Sequence, residues 1–230
     1  MLVKGLQKTT LIDFPGKVAS VIFLAGCNLR CPYCQNPGLI EEHEELPDIP
    51  EEEVFRYIKS RKNWLDGVCI SGGEPTINPE LPEFLEKIKK TGLLVKLDTN
   101  GTEPKMLEKL VKRKLVDYIA MDIKAPLKKY RWVVRAKIDL GKIEKSVEII
   151  RESGIDYEFR TTVVPSLLTR RDILEIGAWL KGAKRYYLHQ FRPQITLDKA
   201  FQDEKPYKLK GLNSFRDAVN GCFELCEVRA

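Results

Sequence analysis

Short apolar runs alternate with amphipathic stretches along most of the chain. The run from Val18 to Leu24 is rich in β-branched residues and reads as a buried strand. Five more runs follow, at 67–71, 93–98, 116–122, 156–163 and 185–191. Between them the apolar residues fall at helical spacing. Val54, Phe55 and Ile58 share one face behind Pro50, a good first-turn residue. Leu81, Phe84, Leu85 and Ile88 share another, closed by Gly92. Leu107, Leu110, Val111 and Leu115 form a third stripe, and Ile143, Val147 and Ile150 a fourth, closed by Gly154. Ile173, Ile176 and Leu180 form a fifth, with Thr169 as N-cap and Gly182 beyond its end. Leu212, Phe215, Val219, Cys222, Phe223 and Cys226 form a sixth, which predicts a helical extension over about 205–230. This alternation predicts an α/β fold with a parallel sheet and right-handed crossovers. It is expected to be a single domain over 1–230, with its core at about 18–193. Six units are too few for a closed eight-fold barrel, but they can curl into an open, partial (βα)6 TIM-like one. Ligands should then gather at the C-terminal ends of the strands. The residues before Val18 are expected to add an edge strand.

The chain has 230 residues, 43% hydrophobic and 31% charged, which suits one well-filled core. No apolar run approaches the roughly 20 residues of a membrane span. The opening Met1-Leu2-Val3-Lys4-Gly5 lacks the apolar core of a secretory signal, so a cytoplasmic protein with no membrane contact is expected. The net charge of +6 fits a Lys- and Glu-rich surface. No basic run is interleaved with aromatics, which argues against a nucleic-acid groove.

Six cysteines in such a chain do not suggest a disulfide framework. Three of them fall within eight residues, directly after the first of these six strands: Gly26-Cys27-Asn28-Leu29-Arg30-Cys31-Pro32-Tyr33-Cys34. The spacing is C-x3-C-x2-C. Three thiolates on one short loop can hold an iron–sulfur cube. A four-iron cluster then keeps one iron without a protein ligand, an open position for a substrate. S-adenosylmethionine has an amino group and a carboxylate placed to chelate it. The alternative is a Cys3His zinc site in a non-catalytic interaction protein. Its fourth ligand would have to be His43, in an acidic run, or the distant His189. Cys69 lies mid-strand and reads as core. Cys222 and Cys226, four apart, read as packing residues rather than a redox pair.

The later strand ends carry further polar groups. The second ends Ser71-Gly72-Gly73-Glu74-Pro75, where two glycines allow close backbone approach and Glu74 offers a carboxylate to an ammonium group. The third ends Asp98-Thr99-Asn100-Gly101, either an Asn-Gly turn or a set of groups near a ribose or cation. In the fourth, Asp122 and Lys124 alternate with apolar neighbours and should share a face. A charged pair inside a barrel is costly unless partnered.

The cysteine spacing, with an aromatic just before the third cysteine, resembles the radical S-adenosylmethionine superfamily. The resemblance implies the partial (βα)6 barrel, the cluster on the first βα loop, and reductive cleavage to a 5′-deoxyadenosyl radical. It implies that Tyr33 packs near the adenine and that Gly72-Gly73-Glu74 binds the methionine amino group. Asp98-Thr99-Asn100-Gly101 followed by Asp122-x-Lys124 is similar to the glycyl radical enzyme activases. That likeness implies cofactor contacts from Asp98, Asn100, Asp122, Lys124 and Arg160. It also implies a monovalent cation, Na+ or K+, held by Asp98, Thr99, Asp122 and the carbonyl of Ala120. Arg192, at the sixth strand end, stands where a related activase has histidine and is a further candidate contact. The segments Gly5–Lys17 and Gly26–Pro37 resemble anaerobic ribonucleoside-triphosphate reductase activating proteins. The implied partners are a glycyl radical enzyme as protein substrate and a flavodoxin or ferredoxin as electron donor. A radical aimed at a small molecule or an RNA base is the alternative within the same chemistry.

Overall fold

The computed structural model describes all 230 residues. The strands are β1 (Val3–Thr10), β2 (Ala19–Leu24), β3 (Gly67–Gly72), β4 (Leu94–Thr99), β5 (Tyr118–Asp122), β6 (Asp156–Val163), β7 (Ala183–Gln190) and β8 (Phe223–Arg229). The helices are α1 (Glu51–Ser60), α2 (Leu81–Lys89), α3 (Pro104–Lys112), α4 (Leu127–Val134), α5 (Leu140–Glu152), α6 (Arg170–Trp179) and α7 (Leu209–Val219). No helix is long and apolar enough to cross a membrane.

The chain divides into two compact units. The first comprises Met1–Asn28, Gly38–Ala120 and Gly141–Asp156; the second comprises Leu29–Pro37, Met121–Leu140 and Tyr157–Ala230. In the first unit β1 runs antiparallel to β2, and β2, β3 and β4 are parallel. The expected edge strand is therefore present. β2 and β3 are buried almost throughout, as parallel strands covered on both faces must be. Phe14 packs against Ala19, Tyr118 and Ala120 and closes the N-terminal ends of the strands. In the second unit β6, β7 and β8 are parallel, and the end of β5 is tied to β6 by the Ile123 N–H donating to the Arg160 carbonyl (2.8 Å).

The five helices read between the strands form close to where their stripes place them. α6 starts with a capping box, Thr169 and Asp172 bonding each other's backbone N–H, and Asp172 also pairs with Lys129 of α4 at 2.8 Å. The C-terminus differs from expectation. The helix ends at Val219, a 3-10 turn covers Asn220–Cys222, and Phe223–Arg229 is a strand beside β7. Cys222 and Cys226 therefore do not share a helix face. Cys226 is buried in β8, where burial pushes its thiol up to about 12.

Candidate active site

In the first unit the end of β3 lies flush against the start of the cysteine loop. The Gly73 N–H donates to the Leu24 carbonyl (2.9 Å), and the Glu74 N–H to the Gly26 carbonyl (2.8 Å). A Cβ on Gly73 would overlap the Gly26 carbonyl oxygen. One on Gly72, whose φ is +123°, would overlap the backbone of Leu24. The glycine pair is thus required by backbone approach.

Glu74 is only 1% exposed, and both its carboxylate oxygens accept hydrogen bonds. Oε1 accepts from the Thr76 N–H (3.0 Å), the Thr76 hydroxyl and the Thr99 hydroxyl (2.8 Å). Oε2 accepts from the Asn100 N–H (2.6 Å). Beside the role expected for it toward an ammonium group, this carboxylate braces the end of β4. The braced Asn100 donates its side-chain amide to Asn28 Oδ1 (3.0 Å) and lies 3.9 Å from Cys27 Sγ. Thr102 holds both asparagines in place.

Asp98 is also engaged within this unit. Its Oδ1 takes the ammonium of Lys96 and its Oδ2 the Ser71 hydroxyl (3.2 Å). Lys96 lies on β4 opposite Cys69 of β3, 2% exposed, with Nζ 3.8 Å from Cys69 Sγ. Sequence reasoning missed Lys96, although its i, i+2 spacing to Asp98 was a readable signal. Ala120 is buried in β5.

The second unit carries the rest of the loop and a charged triad. Asp122 accepts from Arg160 Nε (2.6 Å) and from Lys124 Nζ (2.9 Å), so the expected pair is partnered twice. Burial would raise the Asp122 carboxyl, but the two cations overcome it and hold it well below the usual carboxylate range. Burial would lower Lys124, but Asp122 keeps it firmly charged. Tyr33 is 4% exposed, and its buried hydroxyl has no hydrogen-bond partner. Burial, reinforced by Cys31, pushes its phenol well up. Burial likewise raises the Cys34 thiol. The loop is pinned by the Arg30 N–H on the Val134 carbonyl (2.9 Å), and its Pro32 carbonyl accepts from the Asp198 N–H (2.9 Å). Arg192 points its side chain to the surface, and its carbonyl accepts from Gln35 Nε2 (3.3 Å).

A second polar set on β6, β7 and β8 was not foreseen. Glu158 is wholly buried and takes Arg229 in a two-pronged pair (2.7 and 2.9 Å), and the Arg229 guanidinium lies 3.4 Å over the Tyr187 ring. His189, in register with Arg229, has a buried Nε2 without a partner. Burial and then Arg160 lower it to about 4, so it is neutral.

The donor set fits an iron–sulfur cluster with S-adenosylmethionine. The three thiols lie on one loop, and the unpartnered Tyr33 hydroxyl calls for a ligand group. A cube takes one cysteine on each of three irons, and three thiols on one loop are the donors it needs. The profile of the radical SAM superfamily matches residues 21–180. The chain belongs to the radical SAM superfamily. Radical SAM proteins use a [4Fe–4S] cluster and S-adenosylmethionine, and the chain is an enzyme of that class. A protein of Methanocaldococcus jannaschii, provisionally named a glycyl-radical enzyme activating enzyme, is 37% identical over 97% of this chain and 99% of its own. A pyruvate formate-lyase-activating enzyme of Streptococcus mutans is 28% identical over 92% of this chain and 84% of its own. Streptococcus suis SuiB, solved bound to S-adenosylmethionine, superposes with a TM-score of 0.66 at 15% identity. That match covers 90% of this chain and 51% of SuiB, so the chain spans about half of SuiB's length and shares its fold.

Proposed function

We propose that this radical SAM enzyme installs a glycyl radical on a partner protein. The observation that carries the reading is the end-to-end likeness to the Methanocaldococcus protein, which leaves almost no residue of either chain unmatched.

Cys27, Cys31 and Cys34 would hold three irons of the cluster. When bound and reduced, the cluster supplies the electron that cleaves S-adenosylmethionine to methionine and a 5′-deoxyadenosyl radical. The chain's own residues hold and orient. Gly72 and Gly73 keep the backbone open where a side chain would intrude. Asn100, fixed by Glu74, presents its amide N–H toward the Cys27 sulfur, and such a donor steadies negative charge on the thiolate. Lys124 and Arg160 outnumber Asp122 by one positive charge, so the triad attracts a carboxylate. Asp122 meanwhile fixes both cations in place. The buried Tyr33 hydroxyl offers a hydrogen bond that no protein group takes up.

A reduced flavodoxin or ferredoxin is the donor we expect, and an anaerobic ribonucleotide reductase or a pyruvate formate-lyase-like enzyme the partner. The test is anaerobic reconstitution with iron and sulfide, followed by reduction with S-adenosylmethionine and candidate glycyl radical enzymes encoded nearby. The expected result is 5′-deoxyadenosine together with a glycyl radical resonance on the partner. Formation of 5′-deoxyadenosine without that resonance, with deuterium arriving from a small molecule instead, would overturn the activase reading.

A further inference from the structure

The activase likeness calls for a monovalent cation on Asp98, Thr99, Asp122 and the Ala120 carbonyl, and the residues do not fit one. In the first unit both Asp98 oxygens are in use, one by the Lys96 ammonium and one by Ser71. The Thr99 hydroxyl donates to Glu74 and accepts from the Gly101 N–H (3.1 Å). In the second unit each Asp122 oxygen already faces a cation. A metal cation added at Asp98 would sit beside a buried ammonium, and like charges at that range repel strongly away from water.

We infer that the Lys96 ammonium is a built-in cation, which does for Asp98 what a bound Na+ or K+ would do. The placement supports it. Lys96 is buried on β4, two residues before Asp98 and on the same face. Its head lies between Asp98 and the Cys69 sulfur. A buried ammonium without its carboxylate is costly, and so is the carboxylate without the ammonium. The two are therefore a permanent pair, whereas an exchangeable ion would come and go with the salt. Lys96 is a positioning residue: it sets the charge and direction of Asp98. The inference rests on the superfamily chemistry and not on which partner receives the radical.

The experiment replaces K+ and Na+ by choline at constant ionic strength. The wild-type melting temperature, measured without cluster, and the S-adenosylmethionine affinity of the reconstituted enzyme are expected to stay flat. Lys96→Met should then bind S-adenosylmethionine about tenfold more weakly in choline, a loss of about 1.4 kcal/mol. K+ or Na+ should restore part of it, because the vacated position beside Asp98 can take an ion. A saturable gain in wild-type stability or affinity on adding K+ or Na+ would overturn the inference. So would a Lys96→Met protein that binds as the wild type does in choline. The wild-type titration needs no variant, so it decides the matter even where Lys96→Met does not fold. Wild-type melting needs no turnover, so its failure is distinct from a failure of the radical chemistry.

Discussion

Glu74 and Tyr33 are almost equally hidden from water, yet the protein treats them in opposite ways. Glu74, in the first unit, has both carboxylate oxygens bonded by donors of its own chain. Tyr33, in the second, holds a buried hydroxyl with no partner at all. The same contrast runs through the neighbouring groups. In the first unit Lys96 and Asp98 neutralise each other, and Asn28, Asn100 and Thr102 close a hydrogen-bonded ring. In the second, His189 Nε2 is stranded beside charged groups. An unsatisfied buried polar atom costs about 1–3 kcal/mol, so a fold keeps one only where something else supplies the partner. Around Glu74 and Asp98 the first unit thus behaves as a finished frame, and around Tyr33 and His189 the second holds buried polar atoms that no group of the chain satisfies.

The strongest way to break that contrast is to unbalance a closed, buried charge pair of the second unit, Glu158 with Arg229. Arg229→Ala removes the two-pronged partner of the buried Glu158. We expect a loss of about 2–4 kcal/mol, at the lower end because water can enter where Arg229 was partly exposed. Thermal melting should drop by roughly 5–10 °C. A change of less than about 1 °C would show that Glu158 is supported elsewhere.

The next effect is a pH dependence. His189 faces Arg160 and Glu158 of β6, Asp122 of β5 and Arg229 of β8, and its pKa falls from 6.5 to about 4 on folding. The unfolded chain therefore binds the extra proton first. The stability His189 contributes is fully present above about pH 6.5 and is lost as pH falls toward 4. The loss is up to about 3 kcal/mol. His189→Gln should flatten the stability profile across that window. An unchanged slope in the variant would assign the effect to another group.

In the first unit, Glu74→Gln turns one acceptor into a donor that must face the Asn100 N–H or a hydroxyl. About 2 kcal/mol of stability should go, measured by denaturant unfolding. The reduction potential of the reconstituted cluster should shift as well, because Asn100 loses the anchor that aims it at Cys27. A stability loss with no change in potential would leave Glu74 as a brace alone.

Much of this was legible in the sequence. The six strand–helix units were readable because parallel strands give continuous apolar runs and their covering helices give clean stripes. The cysteine loop was readable because C-x3-C-x2-C has few structural explanations. The chain end was misread because Cys222 and Cys226 prolong the stripe of α7 at helical spacing. Only the Gly221 turn hints that the helix stops, and a short half-exposed run cannot be told apart by period alone. α4 went unseen because Tyr130, Val133 and Val134 mark barely two turns. The role of Glu74 was hidden because its donors come from Thr76, Thr99 and Asn100, two of them a strand away.

The smallest perturbation tests the contrast most directly. Tyr33→Phe removes one oxygen, and the protein loses no hydrogen bond with it. Stability should therefore stay within about 0.5 kcal/mol of wild type, or rise slightly as a desolvated hydroxyl disappears. If that hydroxyl awaits the cofactor, S-adenosylmethionine affinity should fall about fivefold, the worth of one hydrogen bond near 1 kcal/mol. Calorimetric titration of the reconstituted enzyme reads the second effect, and thermal melting of the unloaded protein reads the first. The two readouts separate the explanations. Weaker binding at unchanged stability places Tyr33 against the ligand, as the second unit's unpaired groups imply. Unchanged binding with higher stability would make the hydroxyl a plain packing cost, and the contrast between the units would then rest on His189 alone.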